Sequence, residues 1–441
     1  MQVLYHAGSP NETGRRPTVE GCNLLLARLL AVVQVNSKKA KGTVKGPNSR
    51  TLLHELQLEQ LQCAVWADAI LQTMTLFLPQ SNSLSTSTNP VLDEMPSRDN
   101  LLGSVDDLSS PSYSRTLARA VTKNQRSRAH NRLPFEPPIP NRITYNTVLK
   151  ILANTPTTSE PFSIKYNNNG DGNNTTATVV LSPEEQRCIP ERAEKIVQSM
   201  EDRYNRYFIQ RRYNKLDLSP PEEQRQQREM ELKTHGFHLS CVLLAWEQQR
   251  DVWDKSVPAA KVFLEGCRNR TASESSFLTM LRICAHNHPN EESATLGANV
   301  AVKLWQEVIE SPDETVKRSI DGMALPSHFY VFFLQAIRAL PLVQRETYID
   351  RCMTRAIQNG KVNEILVNEF LVKSGSKQLF HKYFNPFYQR AAATRGHNQP
   401  TLRDLPPQEA SAILVQEYLP REWVAHADGR DWHLNESIQT S

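Results

Sequence analysis

Long apolar runs and closely paired cysteines are both missing from this chain of 441 residues. The most apolar stretch, 23–35, is interrupted by Arg28, so no run approaches the length needed to cross a bilayer and we expect no membrane association. The seven cysteines include no Cys-x-x-Cys pair, and several lie in apolar stripes, which favours a reducing compartment. Residues 1–20 hold no apolar signal segment, so no targeting peptide is readable and a truncated start is one interpretation.

Catalytic signatures are missing as well. His54 and Glu55 begin a metalloprotease pattern, but Leu58 stands where the second histidine is needed. The segment Cys284-Ala285-His286-Asn287-His288 could supply metal ligands, yet it lacks a fourth partner at a recognised spacing. Gly-rich phosphate loops do not occur. We therefore expect no enzyme, and no metal, cofactor or small-molecule substrate.

Overall charge is low, since 51 Lys and Arg residues face 47 Asp and Glu residues and leave +4. A field of this size does not indicate a nucleic-acid binder. Locally the balance differs, because 111–150 holds eight basic residues against Glu136 alone, which gives +7. The basic residues are Arg115, Arg119, Lys123, Arg126, Arg128, Arg132, Arg142 and Lys150. This cluster is either a phosphate-neutralising surface or a solvated loop, and both interpretations stay open.

What the chain does contain is a repeated spacing of apolar residues. In the best copy, Tyr145 is followed by apolar residues three, four and seven positions later. This spacing places all four side chains on one face of a helix. Four further copies of the template begin at Cys22, Leu239, Phe277 and Phe329.

A second template alternates with the first. It starts with alanine and has apolar residues at the same offsets, in copies that begin at Ala67, Ala193, Ala260 and Ala301. Two helix types that alternate along a chain indicate a repeat of helix pairs. Since neither helix can bury its stripe alone, the pairs must stack, and we predict an all-α fold built as a helical-repeat solenoid.

The amino-acid sequence of the best unit is more specific than the spacing of its apolar residues. Ile143-Thr144-Tyr145-Asn146-Thr147-Val148-Leu149 opens a first helix, and the segment from Pro190 to Met200 makes the second. This unit resembles the pentatricopeptide repeat, and the likeness extends over half the chain as about five degenerate units. Leu419-Pro420-Arg421-Glu422-Trp423 resembles the segments that end some repeats of that family. A tetratricopeptide repeat, which shares the α-α superhelix geometry, is the main rival.

The resemblance and the insertions between stripes suggest five regions. We predict a degenerate first helix pair at 1–78, a low-complexity segment and basic linker at 79–140, the best pentatricopeptide repeat with an internal insertion at 141–235, a run of divergent repeats at 236–372 and a C-terminal capping region at 373–441. Helices are expected over 183–213 and 407–418. Residues 79–110 and 160–180 should be extended or poorly defined, because their Ser, Asn and Thr cannot offset chain entropy.

Candidate binding residues follow from the resemblance, which implies that the first helices line a concave face. One residue per repeat, two after the aromatic anchor, reads a base edge in this family. Here that position is held by Leu24, Thr147, Cys241, Thr279 and Val331. Only the two threonines can make hydrogen bonds, and Lys150 and Arg282 lie three residues further along, where each can meet a phosphate. We predict RNA contact at Thr147, Lys150, Thr279 and Arg282, and packing roles for Leu24, Cys241 and Val331.

The alternative interpretation is that these pairs have no binding role, because Thr and Lys occur at this spacing on any exposed helix face. By resemblance we expect a protein that binds single-stranded RNA in a mitochondrion or plastid and acts in RNA processing, stability or translation. The rival function is a protein-interaction scaffold, within an organellar ribosome or assembly complex, that uses the same groove. RNA binding requires positive potential along the first-helix face, whereas a peptide groove needs apolar or mixed pockets.

Overall fold

The computed structural model describes residues 18–42, 49–75, 139–156, 162–167, 174–179, 183–213, 231–310, 312, 314, 316, 325–374, 376–394 and 400–426. Two compact units divide the chain, Met1–Thr234 and His235–Ser441, and each is treated by itself. This division lies one residue before the boundary that the sequence placed at 235/236. The predicted low-complexity segment 79–110 and the basic residues from Arg115 to Arg132 lie outside the described residues.

The described part of unit 1 contains the helices α1 (Val19–Gly42), α2 (Ser49–Thr75), α3 (Arg142–Ala153) and α4 (Pro183–Tyr213). Helices α1 and α2 pack together, both contact α3, and α3 packs on α4. The helix predicted over 183–213 is confirmed by α4. Leu26, Ala67 and Tyr145, each from a predicted stripe, are buried in this unit.

Helix α3 begins where its capping residues require it. The Asn141 side chain accepts a hydrogen bond from the Thr144 backbone N–H at 3.0 Å, and the Thr144 hydroxyl oxygen accepts from the Asn141 N–H at 3.2 Å. This reciprocal box satisfies two of the amides that every helix start leaves unpaired. The Thr144 hydroxyl also donates to Asn23 Oδ1 of α1 at 2.7 Å, so the start of α3 is fixed to its neighbour.

Helix α4 is held to the rest of unit 1 by two arginines. Arg192 Nε donates to Asp68 Oδ1 of α2 at 2.7 Å, and the Asp68 side chain is almost fully buried. Arg203 Nη1 donates to the Tyr145 hydroxyl of α3 at 2.7 Å. A buried carboxylate that loses its arginine costs several kcal/mol, on the order of 3–5. These contacts therefore fix which faces of α2, α3 and α4 meet.

A β-hairpin interrupts the helices of unit 1. Strands β1 (Phe162–Asn167) and β2 (Asn174–Val179) pair antiparallel with Phe162 opposite Val179, and β1 contacts α2. Extended backbone was expected over 160–180, but the pairing was not. Phe162, Ile164 and Tyr166 alternate with polar residues, which is a strand pattern.

Unit 2 is a succession of helices. They are α5 (Gly236–Glu247), α6 (Ser256–Arg268), α7 (Glu274–Ala285), α8 (Glu291–Leu304), α9 (Ser327–Ala336), α10 (Leu342–Gln358), α11 (Glu364–Glu369), α12 (Lys377–Tyr383), α13 (Asn385–Thr394), α14 (Pro407–Ile413) and α15 (Arg421–Val424). Wider π-helical turns continue α8, α11 and α14 through 305–310, 370–374 and 414–418, and a 3₁₀ turn at 337–339 follows α9. The helix predicted over 407–418 thus ends in a π-helical turn.

These helices form two layers. Helices α5, α7, α9, α11 and α14 each contact the next in that order, and they make the first layer. Helices α6, α8 and α10 pack against it, each beside the first-layer helix that precedes it. Apart from the one hairpin, the regular structure of the described residues is helical, so the all-α class is confirmed.

The core of unit 2 is a chain of aromatic rings. Phe277 stacks on Phe263 with ring centroids 4.9 Å apart and meets Phe329 edge-on at 4.8 Å. Trp305 stacks on Phe333 at 4.4 Å. The predicted burial of Tyr145, Trp246, Phe277 and Phe333 is confirmed. Each buried ring contributes roughly 1.5–3 kcal/mol relative to exposure. A few stripe residues are only half-buried, namely Leu25, Val197, Ala260 and Leu264.

Helix α1 corrects one expectation. Its stretch Val19–Ala40, 22 residues long, is apolar enough by length and composition to cross a membrane. The prediction that no run approaches such a length was therefore wrong, because the few charged residues of the stretch, Arg28 among them, do not lower its mean hydropathy enough. Cys22, Leu26, Leu29 and Val33 of this helix are buried in unit 1, where α1 contacts α2 and α3.

The C-terminal segment returns to an earlier turn of unit 2. The Val362 N–H donates to the Trp423 carbonyl and the His426 N–H donates to the Gly360 carbonyl, both at 2.9 Å. Gly360 has a φ of +64°, a left-handed conformation that a side chain disfavours. The Trp423 ring also meets Phe387 edge-on at 5.4 Å. Residues 419–426 thus cover the turn between α10 and α11.

Candidate nucleic-acid interface

One side of α1 is exposed along its length. Leu24, Arg28, Val35 and Lys38 share a helical face at offsets of four, eleven and fourteen residues, and all four are exposed. Leu24 is 60% exposed, so its predicted packing role is wrong. The reason is register, because the buried stripe of α1 runs through Cys22 and its partners and leaves Leu24 on the other side.

Helix α3 continues this pattern beside α1. Arg142, Ile143 and Lys150 are exposed, and Thr147 lies between them on the same side of the helix with 9% of its surface accessible. The Thr147 hydroxyl donates to the Ile143 carbonyl at 2.8 Å. Its proton is therefore used within the helix, while its oxygen retains the capacity to accept a hydrogen bond.

Helices α1 and α3, which carry the first-helix stripes of unit 1, have strongly basic sequences. Against one acid, Glu20, they hold six basic residues and a net charge of +5. The basic residues are Arg28, Lys38, Lys39, Lys41, Arg142 and Lys150. We call the exposed residues Leu24, Arg28, Val35, Lys38, Arg142, Ile143 and Lys150 the basic face. It combines cations with large apolar side chains, and the exposed carboxylate of Glu20 lies four residues before Leu24 on the same side of α1.

The first-layer helices of unit 2 have the opposite balance. Helices α5, α7, α9 and α11 together contain four acidic residues and one basic residue, Arg282, so their net charge is −3. The acids are Glu247, Glu274, Glu364 and Glu369. Positive potential along first helices, the property that RNA binding requires, is therefore a feature of unit 1.

Thr279 and Arg282 already have partners inside unit 2. The Thr279 hydroxyl donates to the Ser275 carbonyl at 2.9 Å, and the residue is 5% exposed. Arg282 Nη2 pairs with Glu247 Oε2 at 2.8 Å and lies 3.3 Å from Thr279 Oγ1. Cys241 and Val331 are buried, in agreement with packing roles. Thr147 and Lys150 belong to the other unit, so a groove shared by all four residues stays a prediction.

A set of charged residues gathers at the C-terminal ends of the first-layer helices of unit 2. Glu247 ends α5, Arg282 and His286 end α7, Arg338 follows α9, and Glu369 ends α11. We call these five residues the helix-end cluster. Two ion pairs hold it, Arg282 with Glu247, and Arg338 with Glu369, to whose Oε1 Arg338 donates from Nε at 2.8 Å and also from Nη2.

His286 lies within electrostatic range of both arginines. Burial lowers its pKa to about 4, and the charges of Arg338 and Arg282 add to the effect. The ring meets Phe332 edge-on with centroids 5.9 Å apart. At neutral pH the imidazole is therefore uncharged. In chain order from α5 to α11, the cluster contains an acidic, a basic, a neutral, a basic and an acidic side chain.

Sequence reasoning missed this cluster except for Arg282. The repeat template counts residues from the aromatic anchor of a helix, and neither Arg338 nor Glu369 lies at the offset that Arg282 has from Phe277. A search for charged residues in the last turn of every first-layer helix finds them. Cations there offset the partial negative charge of a helix C-terminus, whereas Glu247 and Glu369 are unfavourable unless paired.

The segment around Cys284 serves the fold. Burial raises the pKa of the Cys284 thiol far above its ordinary range. His288 Nε2 bonds the Cys284 carbonyl at 2.8 Å, and its Nδ1 bonds Ser293 Oγ at 3.0 Å, so both ring nitrogens are engaged. Among the residues that the structure describes, no group of three His, Cys, Asp or Glu side chains could hold a metal ion.

Lys255 is the most deeply buried cation of this region. Its ammonium group donates to the carbonyls of Gln249 and Asn287, both at 2.8 Å. Burial lowers its pKa to about 8, a shift that the charge of Glu247 opposes. The lysine thus links the turn after α5 to the turn after α7, where Asn287 has a φ of +58°.

No family model, curated protein or solved structure matches the chain.

Proposed function

We propose that this protein binds single-stranded RNA through the basic face of unit 1. The charge of α1 and α3, six cations against one acid, carries the proposal. Lys and Arg neutralise phosphates, and exposed apolar side chains beside them offer contact to unstacked bases. Lys150 and Arg142 meet the backbone, and Ile143 and Leu24 lie where bases can rest.

Thr147 supplies the directional contact in this proposal. Its hydroxyl oxygen can accept a hydrogen bond from a base amino group, because only its proton is used inside α3. Thr279 and Arg282 keep their predicted roles as a second contact, which requires Arg282 to bind phosphate beside Glu247.

The alternating helix pairs support a divergent pentatricopeptide-repeat protein, with an α-α superhelix of the tetratricopeptide-like type. The resemblance of 143–149 and 190–200 then implies a non-catalytic role in RNA processing, stability or translation in a mitochondrion or plastid. The packing of α5 to α11 in two layers is what such a repeat needs, since each pair buries the stripe of its neighbour.

Lys150→Ala tests the RNA contact. Binding of the full chain to a mixed single-stranded RNA pool is followed by fluorescence anisotropy at several salt concentrations. The slope of log affinity against log salt should flatten by about 0.7, as expected for one lost phosphate contact on a single strand. Affinity should fall for all sequences alike, because a phosphate carries no base identity.

Lys303→Ala is the matched control, because Lys303 is a well-exposed lysine of α8 in unit 2. It removes the same charge from a helix outside the basic face. Equal slopes for the two variants would show that only net charge matters, and the proposed contact would be wrong.

A second function is favoured by the surface of unit 2. Its first-layer helices are net acidic, and Leu342 and Val343 at the start of α10 are 55% and 79% exposed. Such a unit suits a protein partner better than RNA. A photo-crosslinking residue placed at position 343 of the full chain distinguishes the two, since it should capture protein and no RNA from an organelle extract.

A further inference from the structure

The two arginines of the helix-end cluster are each held from one side only. Glu247 binds Nη2 of Arg282, and Arg282 Nε is buried without a hydrogen-bond partner. Glu369 takes Nε and Nη2 of Arg338. In the part of the chain that the structure describes, the Nη1 amino group of Arg338 has no hydrogen-bond partner. Donors therefore remain on both arginines.

A buried donor without a partner is costly, roughly 1–3 kcal/mol and more for a charged group. Arg282 shows such a donor although its side chain is 29% exposed, and Arg338 is 31% exposed. Part of each arginine side chain is thus exposed to solvent. The carboxylates fix their positions, so a ligand would meet donors that are already oriented.

The arrangement of charge indicates which kind of ligand the two arginines suit. From α5 to α11 the cluster has a carboxylate, a guanidinium group, a neutral imidazole, a guanidinium group and a carboxylate. An anion beside His286 would complete the alternation, and a phosphate presents several acceptor oxygens to two arginines at once. We propose that Arg282, His286 and Arg338 form a phosphate-binding site at the helix ends of unit 2.

This site does not depend on the basic face, because it lies on helices of the other unit, but it shares Arg282 with the second RNA contact of the proposed function. It takes a phosphate group, whether of a free pyrophosphate-bearing molecule or of an RNA backbone. His286 contributes through its ring N–H and becomes a stronger donor if it takes a proton. Other charged groups near the ring are Glu369 and His288 as well as the two arginines.

Nuclear magnetic resonance of the imidazole tests the proposal directly. In the full chain, the His286 ring signals are assigned by comparison with His286→Gln and titrated with sodium pyrophosphate, at ionic strength matched with sodium chloride. We expect saturable shifts and a His286 pKa that rises by about one unit, because the bound anion favours the imidazolium. Equal responses to pyrophosphate and to chloride would overturn the site.

A double variant with a matched control separates the site from general charge effects. Arg338→Gln with Glu369→Gln removes one ion pair of the cluster, and Arg351→Gln with Glu310→Gln removes an exposed pair elsewhere in the same unit. Pyrophosphate affinity should fall about tenfold in the first and stay unchanged in the second. Equal loss in both, or none in the first, contradicts the proposal.

Arg338→Lys serves if the first double variant does not fold. It keeps the charge and an ion pair but loses the second edge of the guanidinium group, so affinity should still fall severalfold. Thermal melting confirms that each variant is folded. If the folded Arg338→Lys protein binds pyrophosphate with unchanged affinity, and pyrophosphate does not shift the His286 signals, both results count against the site.

The source of the phosphate is decided by a competition arm. A short single-stranded RNA is added to the protein carrying Lys150→Ala, which removes a contact of the basic face. If the RNA shifts His286 and excess pyrophosphate replaces that shift with the one that pyrophosphate causes alone, the site binds the RNA backbone. If pyrophosphate alone shifts it, the site serves a free phosphate compound. Failure of both arms overturns the site and leaves the Lys150 test of RNA binding unaffected.

Discussion

At the scale of single residues, His286 shows how neighbours set the charge of a group. It follows α7 beside Phe332, within electrostatic range of two arginines, and burial is the largest cause of its lowered pKa of about 4. An unfolded histidine has a pKa of about 6.5. Between these values the unfolded chain binds more protons than the folded one, so this residue contributes stability that is lost as pH falls from about 6.5 toward 4.

The corresponding prediction uses His286→Gln. The wild-type protein should lose on the order of 2 kcal/mol more stability than the variant between pH 7 and 4, after allowance for partial exposure of the ring. Denaturant unfolding at each pH measures the difference, in which the other titrating groups cancel. Parallel pH profiles for the two proteins would show that His286 takes up a proton as easily when folded.

At the scale of elements, α8 packs unusually close to the end of α7. A methyl group built on Gly297 would lie 2.7 Å from the Cys284 carbonyl oxygen and 2.7 Å from the His288 ring. Neither can retreat easily, since the carbonyl belongs to α7 and the ring bonds Ser293. Gly297 therefore permits an approach that every other residue obstructs.

Gly297→Ala should destabilise the protein by roughly 1–3 kcal/mol, although alanine is the better helix former. Gly21→Ala provides the control, because its nearest neighbour, Thr18 Oγ1, would be 3.5 Å from the new methyl group. That change should be neutral or stabilise by about 0.5–1 kcal/mol. Thermal denaturation measures both, and a gain of stability for Gly297→Ala contradicts the close packing.

The elements also show what the sequence could predict. Stripes such as Tyr145 to Leu152 predicted helices because their period is a local property that burial then uses. The hairpin at 162–179 was missed because its alternation is short and lies in a segment rich in Asn and Thr. The exposure of Leu24 was missed because its apolar side chain suggested packing, although Leu24 lies off the stripe that begins at Cys22.

At the scale of the whole molecule, a small net charge conceals an uneven distribution. The chain carries +4, yet the first helices of unit 1 carry +5 while α5, α7, α9 and α11 together carry −3. The net charge of the chain, and the place of Lys150 on a first helix, could be predicted from the sequence alone. The sequence could not show that Glu247, 35 residues before Arg282, would neutralise that arginine, because the pairing depends on how α5 and α7 stack.

This distribution predicts where RNA bases touch the chain. Ultraviolet crosslinking followed by peptide mass spectrometry should place base adducts within 24–38 and 142–150. Within 236–285, where carboxylates outnumber cations on the first-layer helices, adducts should be confined to the second contact at Thr279 and Arg282. Adducts confined to unit 2 would contradict the proposed basic face, and adducts confined to 115–132 would assign the contact to the arginine-rich segment instead.

The return of the C-terminal segment to the turn at 360–362 bears on how the protein is made. Synthesis proceeds from the N-terminus, so α10 and α11 leave the ribosome before residues 419–426 exist. Until then the Val362 amide and the Gly360 carbonyl lack the partners that Trp423 and His426 later provide. The turn between α10 and α11 can therefore be covered only after translation has passed His426, which makes its completion a late step in the life of each newly made chain.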